Sequence, residues 1–500
     1  MANINTRASV CSIMPEVTEG TPVKPAATTD YIPETADFSM NPNYDKAENE
    51  ELKNSLGQGK SIVVGESPDA SLSFYLKGSG TEGAAPQFAD ILEAAFGTET
   101  IDLDEETTAA GSTVSVVSLS ANGSHHPRGS CLLIKDGTNG YSIRPVHSQS
   151  SEDLTLGFDL DNAPASGVSV GKAVTYSPAN SGHQTLTMWD YLGNSGAIRM
   201  MTGARVTSLE MNFEATALAQ ASASFEGISF YFDPVEISST NKYIDFDDGG
   251  GEENVSVPEK WYKDPHELAD AIATAMDAAT SDNITCVYSD TTGKFTIASD
   301  GVTLSLLWNT GTNTANGIHS TVGYSSAADD TGSTSYDSDS AIDLTSEYTP
   351  SFDSTDPVAC KDMTVLLGDS DDNVCFDPSS VSVSLETPKV DELSLCAESG
   401  KSGSVVSSRA ATITSTAFLP QYCADRFKRL RENTTTRFFL AGGVKSGGNW
   451  VAGKCFGIYG PTCVIDSIDI ADNEGTAEIS ITMSTFVDED GNGELYYSQV

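Results

Sequence analysis

The 500-residue chain carries 71 Asp and Glu against 27 Lys and Arg, a formal charge of −44, with 38% apolar residues and a mean hydropathy of −0.21. That field excludes sequence-specific DNA or RNA binding, which rests on Lys and Arg neutralising phosphates. No run of about 18 apolar residues offers a membrane span, and MANINTRASVCSIMPEV lacks the apolar core of a secretory signal, so the expectation is a soluble protein made in a cytoplasm.

The length suggests roughly three domains of about 150 residues each. Residues 1–32, with their prolines, read as an extended arm. A first unit is expected over 33–235. It opens on a short strand, then a polar, charged stretch from Asn41 to Gly59, long enough within a compact unit to expect a function for it. Strands follow near Ile62–Val64 and Ala70–Leu76. Phe88, Ile91, Leu92 and Phe96 then fall at helical spacing and give one apolar face. From Thr113 to Phe232 the pattern is almost wholly β, including a hairpin in LLIKDGTNGYSI and two long alternating runs, Arg205–Phe213 and Leu218–Phe232. Long paired strands with small or polar residues at alternate positions suit the wall of a large barrel.

Residues 236–347 read as a small α+β module. It has a glycine hairpin at DDGGG, a helix from Pro265 capped by Asp264, and an acidic, weakly apolar end. Residues 348–500 read as a second unit, because they echo the first. EELKNSLGQGKSIVV followed by SLSFYL and PQFADILEAAF is answered by DELSLCAESGKSGSVV, an alternating strand and PQYCADRFKRL. RVTSLEMNF is answered near the C-terminus by VIDSIDIAD. The fold class is therefore mainly β: two β-sandwich or barrel units, each with a flanking helix, and a small α+β module between them. The second helix is unusually basic; Arg426, Lys428, Arg429 and Arg431 point to contact with an acidic neighbour.

Motifs that could carry chemistry fail on their spacing. Gly59-Lys60-Ser61 and Gly400-Lys401-Ser402 lack the first glycine that a phosphate loop needs, since Asn54 and Ser55 in one and Leu395 and Cys396 in the other stand at the candidate positions, and a strand follows where a helix N-terminus is required. They read as turns carrying a contact lysine. Asp488, Asp490, Asn492 and Gly493 open like a calcium loop, but Gln499 stands where the bidentate carboxylate belongs. Asp247, Asp248, Glu252 and Glu253 read as a solvated turn. His125, His126, Cys131 and His147 have no ligand spacing and read as exposed turn histidines, and the nine cysteines contain no C-x-x-C. Gly193-Asn194-Ser195-Gly196 is not a G-x-S-x-G elbow. No catalytic constellation, cofactor or metal is expected, and the protein is not expected to be an enzyme.

The first 232 residues resemble tail tube proteins of long non-contractile-tailed bacteriophages. The residues that carry the resemblance are ADFSMNPNYDKAENEELKNSLGQGK, the glycine-rich KGSGTEGAAPQF turn into a helix, and LTMWDYLGNSGAIRMMTGARVTSLEMNFEATALAQASASFEGISFYF. The module at 240–344 resembles surface domains of phage virion proteins. The resemblance implies a structural protein of the virion tail whose strands join those of its neighbours into a barrel around a channel. Six such units make a ring and rings stack into a tube; a chain with two units then closes as a homotrimer with pseudo-sixfold symmetry. The loop with Asn41, Tyr44, Lys46, Asn49, Glu51, Lys53 and Lys60 would reach the adjacent ring. The helix with Arg426, Lys428, Arg429 and Arg431 would make subunit or ring contacts, and the module would decorate the outside. Implied partners are other copies of the chain, a tape measure protein in the lumen, the tail tip and terminator proteins, and viral double-stranded DNA passing without specific binding. The alternative is a fibre or adhesin whose module binds a cell-surface glycan.

Overall fold

The computed structural model describes the chain except residues 1–3, 5, 27–30, 34–37, 52–58, 194–196, 302, 345–348, 353, 370–376, 421–423 and 489–490. Nine strands and one helix occur twice in the same order. The first set is β1 (Val10–Pro15), β2 (Ser39–Asn41), β3 (Tyr44–Ala47), β4 (Ile62–Glu66), β5 (Asp69–Tyr75), α1 (Ala89–Phe96), β6 (Leu186–Tyr191), β7 (Ile198–Glu214), β8 (Gln220–Glu226) and β9 (Ser229–Phe232). Helix α2 (Pro265–Asp277) belongs to the intervening module. The second set is β10 (Thr364–Gly368), β11 (Ser380–Glu386), β12 (Lys389–Leu393), β13 (Lys401–Val406), β14 (Ala410–Phe418), α3 (Ala424–Glu432), β15 (Thr436–Ser446), β16 (Asn449–Asn473), β17 (Thr476–Thr485) and β18 (Tyr496–Gln499).

Each set folds into two antiparallel sheets. In the first copy one sheet runs β2-β5-β8-β7 and the other β1-β6-β7-β9. The second copy repeats this as β11-β14-β17-β16 and β10-β15-β16-β18. One long strand per copy serves both sheets. The first part of β7 is buried through Met200, Met201 and Ala204, whereas its second part alternates, with Leu209, Met211 and Phe213 inward. A bulge between Val206 and Ser208 turns the strand from one sheet to the other. The matching strand β16 has its bulge at the matching place, between Ile465 and Ser467. The repeat thus shows in backbone irregularities as well as in residues.

The copies are not separate domains. The side of β7 away from β8 pairs with β11 over seven residues, from Ser208↔Glu386 to Glu214↔Ser380, so the two four-stranded sheets become one of eight. A single apolar cluster runs beneath it. Met211 stands opposite Val383, and Phe213 stacks on Phe456 at 5.7 Å. Burying each such side chain stabilises the junction by about 1.5–3 kcal/mol.

Between α1 and β6 the first copy carries an insertion that the second lacks. Residues 106–170 form a six-stranded sheet with its own small core. Although it lies within the first copy in sequence, this sheet packs on the second. Cys131, Leu133 and Phe158 meet Phe439, Trp450, Tyr459 and Tyr496, and the strand Val174–Pro178 pairs with β18. Contact is close enough that glycine is required twice: a Cβ on Gly157 would lie 2.8 Å from the Tyr459 ring, and one on Gly129 would lie 2.1 Å from that of Tyr496. The expected boundary at 235 therefore separates residues that share a core.

The N-terminal arm also needs correcting. Val10–Pro15 is a strand, because Cys11 and Ile13 point into the core and its backbone pairs with all six residues of β6. The module is an α+β body with its own core from Val235 to Tyr324. Its helix begins where expected: the Asp264 side chain accepts from the Glu267 amide at 2.9 Å, and Pro265 sits in the first turn.

Candidate functional site

The eight-stranded sheet has two unlike faces, and alternation in each strand makes them so. Leu72, Phe74, Met211, Ala221, Ala223, Val383, Ile413, Ile481 and Met483 face the core. On the other face, Ser73, Ser222, Glu210, Ser384, Thr412 and Ser484 stand side by side across six strands. The next row reads Tyr75, Gln220, Asn212, Ser382, Thr414, Thr482 and Ser467. These side chains bond to one another: Ser39 to Ser71 at 2.8 Å, Ser382 to Glu210 at 3.1 Å and Thr416 to Ser480 at 3.4 Å.

The eight segments 39–41, 69–75, 208–214, 220–226, 380–386, 410–418, 464–473 and 476–485 contain no lysine or arginine. They do contain Asp69, Glu210, Glu214, Glu226, Glu386, Asp466, Asp469, Asp472 and Glu478. At the rim Lys389 is buried and bound to Asp391 at 2.6 Å. The face is therefore a lawn of short hydroxyls with a net negative charge. The repeated Ser-x-Ser and Thr-x-Thr alternation in SVSVSLE and TITST is the signal for it.

Two sheet edges are open among the described residues. Strand β16 pairs on one side only from Asp466 to Asn473, and β2 pairs only with β5. The matching bulges set Leu209 against Ile468 and Met211 against Ile470. Met211 is fully buried beneath the β7–β11 junction, whereas Ile470 is 55% exposed.

Two hairpins rise from one end of this sheet, β3–β4 from the first copy and β12–β13 from the second. Their bases are joined: the Glu66 amide donates to the Ser399 carbonyl at 3.1 Å, and Lys401 reaches Ser67 at 3.0 Å and Asp391 at 2.8 Å. Lys401 is thus a buried contact lysine in a strand, engaged by Ser67 and Asp391. Asn41 ends β2; Tyr44 and Lys46 lie exposed on β3; the Asn49 side chain caps the Glu51 amide at 3.0 Å; Lys60 is exposed just before β4. Lys53 lies outside the described residues. Beyond the polar groups both hairpins expose apolar ones, Ile62, Val63 and Val64 on one and Val390, Leu393, Leu395 and Val405 on the other.

The basic helix α3 is divided in its contacts. Arg429 is buried and holds Asp369 at 2.9 Å and Asp425 at 2.7 Å, so its acidic neighbours lie within the chain. Those hydrogen bonds push its already high pKa further up. Arg426 donates to the Leu367 carbonyl at 3.4 Å. Lys428 and Arg431 are exposed, beside Glu432.

The histidines differ from expectation. His125 is partly exposed, but His126 is buried beside Asp102, and burial pushes its pKa down to about 4. His147 bonds the Tyr459 hydroxyl at 2.9 Å and lies 3.3 Å from Arg437, joining the insertion to the second copy; burial first, then Arg437 and Arg128, push it down to about 4. Cys131 is buried in the contact between insertion and second copy. Asp490, Asn194, Ser195 and Gly196 lie outside the described residues, while Asp488 pairs with Arg128 at 2.7 Å and accepts from Asn492. Asp247 accepts the Gly249 and Gly251 amides in an exposed turn. Between module and first copy a cleft of about 280 Å³ is lined by Tyr31, Trp189, Tyr191 and Trp261. Those rings pack on one another, Trp189 on Trp261 at 5.4 Å and on Tyr191 at 6.3 Å, and make a joint.

No curated protein matches the chain. The model of the family described as phage tail tube protein matches residues 6–234, the span from just before β1 to just after β9. That match covers a little under half of a mainly β chain and is what a structural tail tube protein of a phage would give.

Proposed function

We propose that this chain closes as a trimer into rings that stack to form the tube through which viral double-stranded DNA leaves a long non-contractile tail. The observation that carries the reading is the β7–β11 junction. It joins two copies of one unit edge to edge, and the chain leaves open the same two kinds of edge, β16 of the second copy and β2 of the first. Repeating the junction between chains pairs Ile470 with Met40, Asp469 with Asn41 and Ala471 with Ser39 of the next chain, as Met211 pairs with Val383, Glu210 with Ser384 and Asn212 with Ser382. Such a heterologous contact closes into a ring and removes every exposed edge.

Dimensions favour three chains. Eight strands spaced about 4.8 Å apart and tilted about 40° would close to roughly 16 Å across, which side chains fill. Three chains give roughly 48 Å between backbones, enough for a DNA duplex of about 20 Å with side chains and water to spare. The Ser/Thr face would line the bore. Without cations it offers phosphates nothing to release counterions against, so DNA slides without adsorbing. The paired hairpins would carry contacts from ring to ring, α3 would meet a neighbour through Lys428 and Arg431, the module would stand outside, and other tail proteins would engage the tube's lumen and ends.

Oxidative cross-linking of Ala471→Cys combined with Ser39→Cys tests the register, since directly opposite residues in an antiparallel pair lie within disulfide reach. The expected product is a covalent ring of three times the 52.6 kDa chain. Closed rings of six chains, or cross-linked species only when cysteines are placed elsewhere, would sink this reading.

A further inference from the structure

Away from the sheet and its edges, one side-chain cluster has the makings of a cation site. Asp102 and Asp104 follow the strand Gly97–Ile101, and His125 ends a short helical turn, Gly123–His125. The His125 Nδ1 lies 3.3 Å from Asp102 Oδ1 and 3.5 Å from Asp104 Oδ2, and the three ligand atoms fall within 4.8 Å of one another. A buried imidazole backs the group: His126 Nε2 is 3.3 Å from Asp102 Oδ2, and its Nδ1 is 3.5 Å from the Ser130 hydroxyl.

Two features separate this from an ordinary acidic turn. Asp102 is 1% exposed and His126 is fully buried; Asp102 Oδ1 accepts the Asp104 amide at 3.1 Å, but Asp102 Oδ2 and His126 Nε2, 3.3 Å apart, have no hydrogen-bond partner. A buried carboxylate with one oxygen left so is costly unless a cation meets it. The nearby acids are already engaged elsewhere. Glu105 is held by Lys135 and Ser169, and Glu106 by the Asn122 amide group. The His125 turn is fixed too, since the Gly123 amide donates to Glu152 at 2.6 Å and a Cβ on Gly123 would lie 2.3 Å from the Ser151 carbonyl.

We propose that Asp102, Asp104 and His125 bind a divalent cation of the zinc class, with His126 as a positioning residue on the far oxygen of Asp102. Mixed imidazole and carboxylate donors favour zinc over magnesium or calcium, which take oxygen ligands. Three protein ligands leave a position for water, and the exposed sides of Asp104 and His125 give the ion its way in. The Asp102 amide donates to the Ala173 carbonyl at 2.8 Å, where the chain leaves the inserted sheet. The ion would therefore clamp the insertion at its root, where both its connections to the tube wall pass.

The test uses the full chain, stripped with chelator and dialysed against Zn²⁺, with metal counted by mass spectrometry and melting followed with and without the ion. One zinc per chain and a higher melting temperature are expected. Asp104→Asn and His125→Ala, both at solvent-facing ligands, should weaken zinc at least about tenfold while leaving circular dichroism unchanged. Substituted Co²⁺ should give a visible absorption that both variants lose. Zinc content equal in the wild type and both variants would overturn the site, and a melting shift produced equally by Mg²⁺ would overturn the zinc class.

Discussion

The two copies of the repeated unit fold alike but are completed by different neighbours, and their helices show it. In the first copy α1 is amphipathic: Ile91, Leu92, Ala94, Ala95 and Phe96 are buried, and Gly97 closes the helix in a left-handed conformation. In the second, α3 occupies the matching place with Arg429 as its buried residue and Phe427 38% exposed. The long strands differ in the same sense, Met211 covered by β11 and its counterpart Ile470 bare. One unit has its next neighbour in the same chain; in the proposed ring the other would meet a second chain. On that proposal, what looks like divergence between repeats is a difference in how much of the assembly each already contains.

The widest separation between the copies is expected from aspartate at the paired positions. Met211→Asp buries an uncompensated charge and should cost about 3–5 kcal/mol, read as early unfolding in denaturant. Ile470→Asp should alter the unfolding of the isolated chain by no more than about 0.5 kcal/mol and yet abolish rings in negative-stain micrographs. Equal destabilisation by both would mean that the β16 edge is already covered.

A smaller contrast is expected within α3. Arg429→Ala removes a buried fork on Asp369 and Asp425 and should cost about 1–2 kcal/mol, discounted because both partners are half exposed. Arg431→Ala should leave stability unchanged within about 0.3 kcal/mol and weaken assembly in a salt-dependent way. If Arg431→Ala assembles normally at every salt concentration, the helix makes no contact between chains.

The least effect is expected from pH, acting where the insertion clasps the second copy. His147 is held neutral, its pKa pushed from an ordinary 6.5 to about 4, so below 6.5 the unfolded chain takes up more protons than the folded one. Its stabilisation is complete above pH 6.5 and is lost as pH falls through about 4. His147→Gln should flatten that part of the melting-temperature profile; an unchanged slope would assign it to other groups.

Much of this architecture was legible in the sequence. The doubled Gly-Lys-Ser, Val-Val and Pro-Gln-aromatic order marked the repeat, and the Asp264-Pro265 start of α2 followed from local rules of helix capping. Periodicity says that a face is buried without saying against what. Hence the pattern assigns residues 106–170 to the first copy, while Phe158 and Leu133 complete the core of the second. The pairing of β7 with β11 spans about 170 residues and has no local signal; only the polar alternation hinted at a shared face. Strand β1 was hidden because it is six residues long in a proline-bearing stretch. The approach of Asp102 and Asp104 to His125 depends on a turn of the inserted sheet that no spacing rule describes.

If rings stack as proposed, the two hairpins would bear on how one ring meets the next. Both tips expose apolar residues, Ile62–Val64 on one and Val390, Leu393, Leu395 and Val405 on the other, but the exposed Tyr44 and Lys46 of the first have no counterpart on the second, whose Lys389 and Lys401 are buried. A ring of six identical units could be seated on its predecessor in six indistinguishable orientations. A ring of three chains with alternating fingers has three, and the intermediate settings would set unlike tips against each other. Duplication followed by divergence would thus give a growing filament a rotational index, a way to reject a sixty-degree error at each added layer.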